Sequence, residues 1–94
     1  MRATFNSREG FPFQPATFAA GCLSSGICTR SQAAPLAAQL KQYTVENVTV
    51  EGIGSTLWVT LLTKRGAVVT WRIGGHGKLT LLDVDVSEVQ IGGQ

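Results

Sequence analysis

Charge is what this chain has least of. Asp, Glu, Lys and Arg together make up 15% of its 94 residues, against about 25% in ordinary globular domains. The net charge is only +2. The cations Arg2, Arg8, Arg30, Lys41, Lys64, Arg65, Arg72 and Lys78 are scattered, with only Lys64 and Arg65 adjacent. That excludes the basic stripe with interleaved aromatics that a nucleic-acid surface needs. No apolar run approaches the roughly 18 residues of a membrane-spanning helix, so none is expected. Histidine occurs once, as His76, and cysteine twice, as Cys22 and Cys28. Two thiols and one distant imidazole do not supply a four-ligand metal site. Their spacing leaves a local disulfide open beside two buried or free thiols.

Catalytic groupings are equally scarce. His76 sits in Gly74-Gly75-His76-Gly77, which has neither the spacing nor the following helix of a phosphate-binding loop. Asp83 and Asp85 lie two apart on an expected strand and so share a face, where solvation accounts for both. No Gly-x-Ser-x-Gly nucleophile motif occurs. A catalytic site needs convergent polar groups with a base beside a nucleophile. The chain therefore reads as a non-enzyme, with no cofactor and no metal.

What is present is apolar. Hydrophobic residues make up 44% of the chain. With so few charges, this implies a large buried area or an apolar surface awaiting a ligand or partner. The length suits one domain. Residues 1–30 carry no clear period, although Phe5, Phe11, Phe13 and Phe18 fall within them. They are expected to form an irregular or flexible arm, with one or two Phe side chains plugging the core edge. Arg2 and Arg8 precede an uncharged stretch, Ala16–Cys28, and Ala19-Ala20-Gly21-Cys22 loosely resembles a bacterial lipoprotein processing site. Glu9, Pro12, Gln14 and Pro15 interrupt that export-signal layout.

Residues 31–94 read as one α+β domain. Ser31 begins the best helix, running to Tyr43, with Ala33, Leu36, Ala37, Leu40 and Tyr43 on one stripe. The period then changes to alternation. Strands are expected at Tyr43–Glu51, Thr56–Thr63, Ala67–Ile73 and Leu79–Ile91. Short turns at Gly52–Ser55, Lys64–Gly66 and Gly74–Gly77 join them. In the last strand Leu82, Val84 and Val86 share a face with Thr80, whereas Val89 and Ile91 have the opposite parity. A bulge or kink between Val86 and Val89 is therefore expected. The architecture is one main helix packed on a curved four-stranded antiparallel meander, with an irregular N-terminal arm.

Residues Val69 to Ile91 resemble the closing segment of the MlaC family, also called the toluene-tolerance auxiliary family, the periplasmic phospholipid carriers of bacterial lipid-transport systems. Trp71-Arg72-Ile73 stands where the family has Tyr-Arg-Leu. A glycine-containing turn follows, then Leu79-Thr80-Leu81-Leu82-Asp83-Val84 in place of Trp-Lys-Val-Tyr-Asp-Val. The family's opening Trp and its Tyr before the Asp are here Leu79 and Leu82. The resemblance implies an apolar cavity between a curved sheet and its helices, no catalytic group, and a periplasmic location; without it, a cytoplasmic location is expected. It also implies a diffuse ligand site of Leu36, Leu40, Trp71, Ile73, Leu82 and Val84, holding a phospholipid or other apolar molecule. The physical alternative is a small module that dimerises through its sheet. Both faces of Thr56–Thr63 carry large apolar groups, and something must cover Trp58 and Leu62: the N-terminal Phe residues, a second copy, or a ligand.

Overall fold

A computed structural model describes residues 1–7 and 13–85. The elements are β1 (Arg2–Asn6), α1 (Pro15–Ser24), α2 (Arg30–Leu40), β2 (Val45–Ile53), β3 (Thr56–Thr63), β4 (Val68–Ile73) and β5 (Leu79–Asp85). The strands form one five-stranded antiparallel sheet in the order β1-β2-β3-β4-β5. The expectation of four strands, one main helix and an irregular arm is overturned. The N-terminal segment supplies a fifth strand and a second helix, and both join the core.

The reasons are local. In β1, Ala3 and Phe5 alternate with Arg2, Thr4 and Asn6, and Phe5 pairs with Val48 so that both point to the helix side. Helix α1 opens with Pro15 in its first turn, where a missing N–H matters least. It buries Phe18 and Cys22, one turn apart. Phe18 meets the ring of Phe5 edge-on at 5.0 Å. The helix stops at Gly26 (φ +78°), where the Gly26 N–H donates to Leu23 and the Ile27 N–H to Cys22. These are the two bonds of a Schellman cap.

Helix α2 is shorter than the expected Ser31–Tyr43, and its cap is Thr29 instead of Ser31. Thr29 Oγ1 accepts from the Gln32 N–H (3.3 Å), and Gln32 Oε1 accepts from the Thr29 N–H (2.9 Å). This reciprocal box satisfies two otherwise orphaned donors. Ala33, Leu36 and Leu40 are buried. With Phe18 and Cys22 they cover Val48, Val50, Leu57, Val59, Leu61, Val69, Trp71 and Ile73 from the sheet in one continuous core. Burying a side chain of Leu or Phe size contributes about 1.5–3 kcal/mol, so this two-layer interior is the main source of stability.

Strand β5 departs from its expected phase. Leu79 pairs with Ile73 and Leu81 with Trp71, but Asp83 pairs with Thr70 and Val84 with Val69, leaving Leu82 as an extra residue. This bulge at Leu82 is one the sequence did not suggest. It puts Val84 on the helix side with Leu79 and Leu81, and Thr80 on the opposite side with Asp83 and Asp85. The expected kink between Val86 and Val89 lies outside the described residues.

The β4–β5 turn docks on α2. Pro35 has no N–H to give the carbonyl of Ser31, four residues back. Gly77 packs against that carbonyl, and a Cβ on Gly77 would run into it. Gly77 also has φ +87°, whereas Gly26 has a similar φ with open space around it. Gly26→Ala is thus expected to destabilise by about 1 kcal/mol, the backbone term alone. Gly77→Ala is expected to cost about 2–4 kcal/mol, because the steric clash adds to it. Urea unfolding of the two variants beside the parent chain measures the difference.

Candidate functional site

The two helices bury the inner face of the sheet from β1 to β4 and stop there. The inner side chains of β4 are closed off, with Val69, Trp71 and Ile73 at most 2% exposed. Their neighbours on β5 are not: Leu81 is 56% exposed, Val84 48% and the bulged Leu82 41%. An apolar strip therefore lies on the helix side of the sheet, beyond the reach of the two described helices.

That strip runs into a groove of about 460 Å³ at the end of the sheet nearest the β3–β4 turn. Val69 and Val84 line its sheet side, and Thr63, Arg65 and Ala67 come from the end of β3 and the turn. Gln42, Tyr43 and Thr44 form its wall from the segment after α2. The Tyr43 ring stands edge-on to Trp71 at 5.8 Å and is fixed there by packing. Arg65 is exposed, whereas the adjacent Lys64 meets Glu46 at 3.5 Å. The groove thus combines an apolar floor, hydroxyl groups and a guanidinium.

Of the six residues expected to hold a ligand, Leu36, Leu40, Trp71 and Ile73 are brought together in the closed core. Val84 lines the groove, and Leu82 lies beside it in the bulge. Sequence reasoning passed over Tyr43, Arg65 and Ala67. They fall at the edges of elements, where periodicity carries little information; Tyr43 and Ala67 had been assigned to apolar faces, Arg65 only to a turn.

The outer face of the sheet is a second open surface. Cross-strand register sets its side chains in rows. Arg2, Glu51, Trp58, Arg72 and Thr80 form one row, and Thr4, Thr49, Thr60, Thr70 and Asp83 the next. Asn6, Asn47, Leu62, Val68 and Asp85 form the third. Trp58 is 36% exposed, and the Arg72 guanidinium lies 5.8 Å from its ring centre, within cation–π range. Phe5, Phe13 and Phe18 pack with the core on the other side of the sheet, so they do not cover Trp58 and Leu62.

The remaining reactive groups do not converge. His76 is exposed in its turn, and Asp83 and Asp85 are exposed on the outer face. Among the described residues, no three His, Cys, Asp or Glu side chains are grouped to hold a metal ion. Cys22 and Cys28 are free and buried at the α1–α2 junction. Burial pushes the Cys22 thiol up to about 12, helped by the neighbouring Cys28 and a hydrogen bond between the two thiols. Burial also raises Cys28, although the same hydrogen bond partly offsets the rise. A buried thiol held protonated is a poor nucleophile.

A pH dependence follows. Below the ordinary thiol pKa, both folded and unfolded chains keep these protons. As pH rises from about 9 toward 12, the unfolded chain loses the Cys22 proton while the folded chain retains it, so stability falls across that window. Unfolding free energy measured from pH 8 to 11 is expected to decline, with a shallower slope in Cys22→Ala. No family model, curated protein or solved structure matches the chain.

Proposed function

We propose that this chain is a non-catalytic binding protein for an apolar or amphipathic small molecule, held in the groove between the segment after α2 and strands β4 and β5. One observation carries the reading: an open groove of about 460 Å³ continuous with the exposed strip of Leu81, Leu82 and Val84. Small-molecule sites span roughly 300–1,000 Å³, with apolar walls and a few placed polar groups. Val69, Val84 and Ala67 supply the walls, and Gln42, Tyr43, Thr63 and Arg65 the polar groups. The resemblance of Val69–Ile91 to phospholipid carriers supports the same class of ligand. The sheet–helix interior, where that resemblance would place acyl chains, is filled by the chain's own Leu36, Leu40, Trp71 and Ile73. A single-chain amphiphile suits the remaining groove better than a two-chain lipid.

The ligand would lie with its apolar part along Val69, Val84 and Leu81 and its polar end toward Arg65. Binding of this kind gains from apolar area removed from water and from one charge-assisted contact at the rim. A fluorescent long-chain fatty acid titrated into the full-length protein is expected to bind saturably. Val84→Asp, at a half-exposed position, is expected to weaken it about tenfold or more by placing a charge against the apolar ligand, with circular dichroism expected to show a folded variant. Arg65→Glu should weaken a fatty acid but not its neutral alcohol. Absence of saturable binding by the parent protein, or equal binding by Val84→Asp, would overturn the reading.

A further inference from the structure

We propose that the outer face of the sheet is a self-association surface, on which two copies stack sheet against sheet about a two-fold axis parallel to β3. This surface is separate from the groove and does not depend on it. The argument rests on register. Trp58, Thr60 and Leu62 are outward residues of β3, the middle strand, after Thr56 at its start. Glu51 on β2 and Arg72 on β4 both pair with Trp58, from opposite sides. A two-fold axis along β3 exchanges the β2 and β4 columns while keeping each row in place. Glu51 of each copy then lies over the partner's Arg72, and the ion pair forms twice. Along the axis, Trp58, Thr60 and Leu62 meet their own equivalents in an aromatic and aliphatic seam.

Such an arrangement is isologous, the commonest symmetry of soluble oligomers. Sheets stacked face to face lie about 10 Å apart, a gap that Trp, Arg and Glu side chains from both sides fill. The composition agrees. The three outer rows carry no lysine, and their centre holds Trp and Arg, the residue types that dominate interface energetics. A sugar partner fits less well, because the Arg72 guanidinium already stands over the Trp58 ring.

Sedimentation equilibrium of the full-length protein over a range of concentrations tests the proposal. The parent chain is expected to show a monomer–dimer equilibrium. Glu51→Arg and Arg72→Glu should each weaken it about tenfold or more, since like charges then face each other. The double variant Glu51→Arg/Arg72→Glu should restore association, which a merely structural role for either residue would not do. Trp58→Glu should give monomers. All three positions are exposed, so thermal melts followed by circular dichroism are expected to show folded variants. A parent chain that stays monomeric at every concentration would sink the proposal. So would a dimer indifferent to these variants, or one broken instead by Leu81→Asp on β5.

Discussion

A single buried side chain amide sets how the helices sit on the sheet. Gln32 is 2% exposed. Its Oε1 closes the cap of α2, and its Nε2 donates to the carbonyls of Ser55 (3.0 Å), Gly74 (3.3 Å) and Ile73 (3.4 Å). One residue therefore ties the start of a helix to the β2–β3 turn and to the end of β4. Buried polar groups are costly when left unpaired and fix a unique arrangement when all are satisfied. Gly77 against Ser31 and Gly75 beside Ser55 complete the same tight end of the molecule. Among the described residues, the other end of α2 has no equivalent side-chain clamp. There the chain leaves the helix through Gln42, Tyr43 and Thr44, and the groove opens beneath it. The asymmetry between a pinned end and an open end gives the inner face its site.

How much of this was legible in the sequence depended on the scale of the signal. Alternation over Thr56–Thr63 and the glycine turns gave β3 and its hairpins, because many side chains vote on one register. The N-terminal strand was missed because five residues of alternation beside a polar, irregular stretch carry little weight alone. Its stability comes from pairing with β2, more than forty residues away along its whole length. Helix α1 was missed because its buried stripe amounts to Phe18 and Cys22 among small residues. Its stop signal, Gly26 followed by Ile27, was in plain view. The bulge at Leu82 shows why phase is fragile: two adjacent leucines fit either parity, and only pairing with Trp71 and Thr70 decides between them. In the glycine turn, which the sequence already set apart from a phosphate-binding loop, Gly77 is required because a helix carbonyl, that of Ser31, stands against it.

The core explains why the expected ligand site divided. Leu36, Leu40, Trp71 and Ile73 were implied as ligand contacts by the resemblance to the phospholipid carriers, and large apolar residues of that kind equally make a filled interior. Nothing in a lone sequence distinguishes a wall of a cavity from a packed core. That distinction depends on how far the helices reach across the sheet. Here they stop at β4, and the residues beyond that limit, Leu81, Leu82 and Val84, are the apolar surface left available. The scarcity of charge noted at the outset is distributed accordingly, with apolar area exposed along β5 on one side and around Trp58 on the other.

The order of strands has a consequence for the chain as it is made. Strands β2 to β5 join their neighbours through tight turns, so each can pair soon after it is synthesised. Strand β1 cannot. Its partner residues, Asn47 to Glu51, lie beyond both helices, and a chain extended at roughly 5–20 residues per second leaves β1 waiting for seconds. During that interval Phe5 has neither Val48 nor the ring of Phe18 settled against it. Strand β1 is thus made before its partner and is among the last elements to find its place. Closing the long loop between β1 and β2 converts the meander and its two helices into a finished sheet.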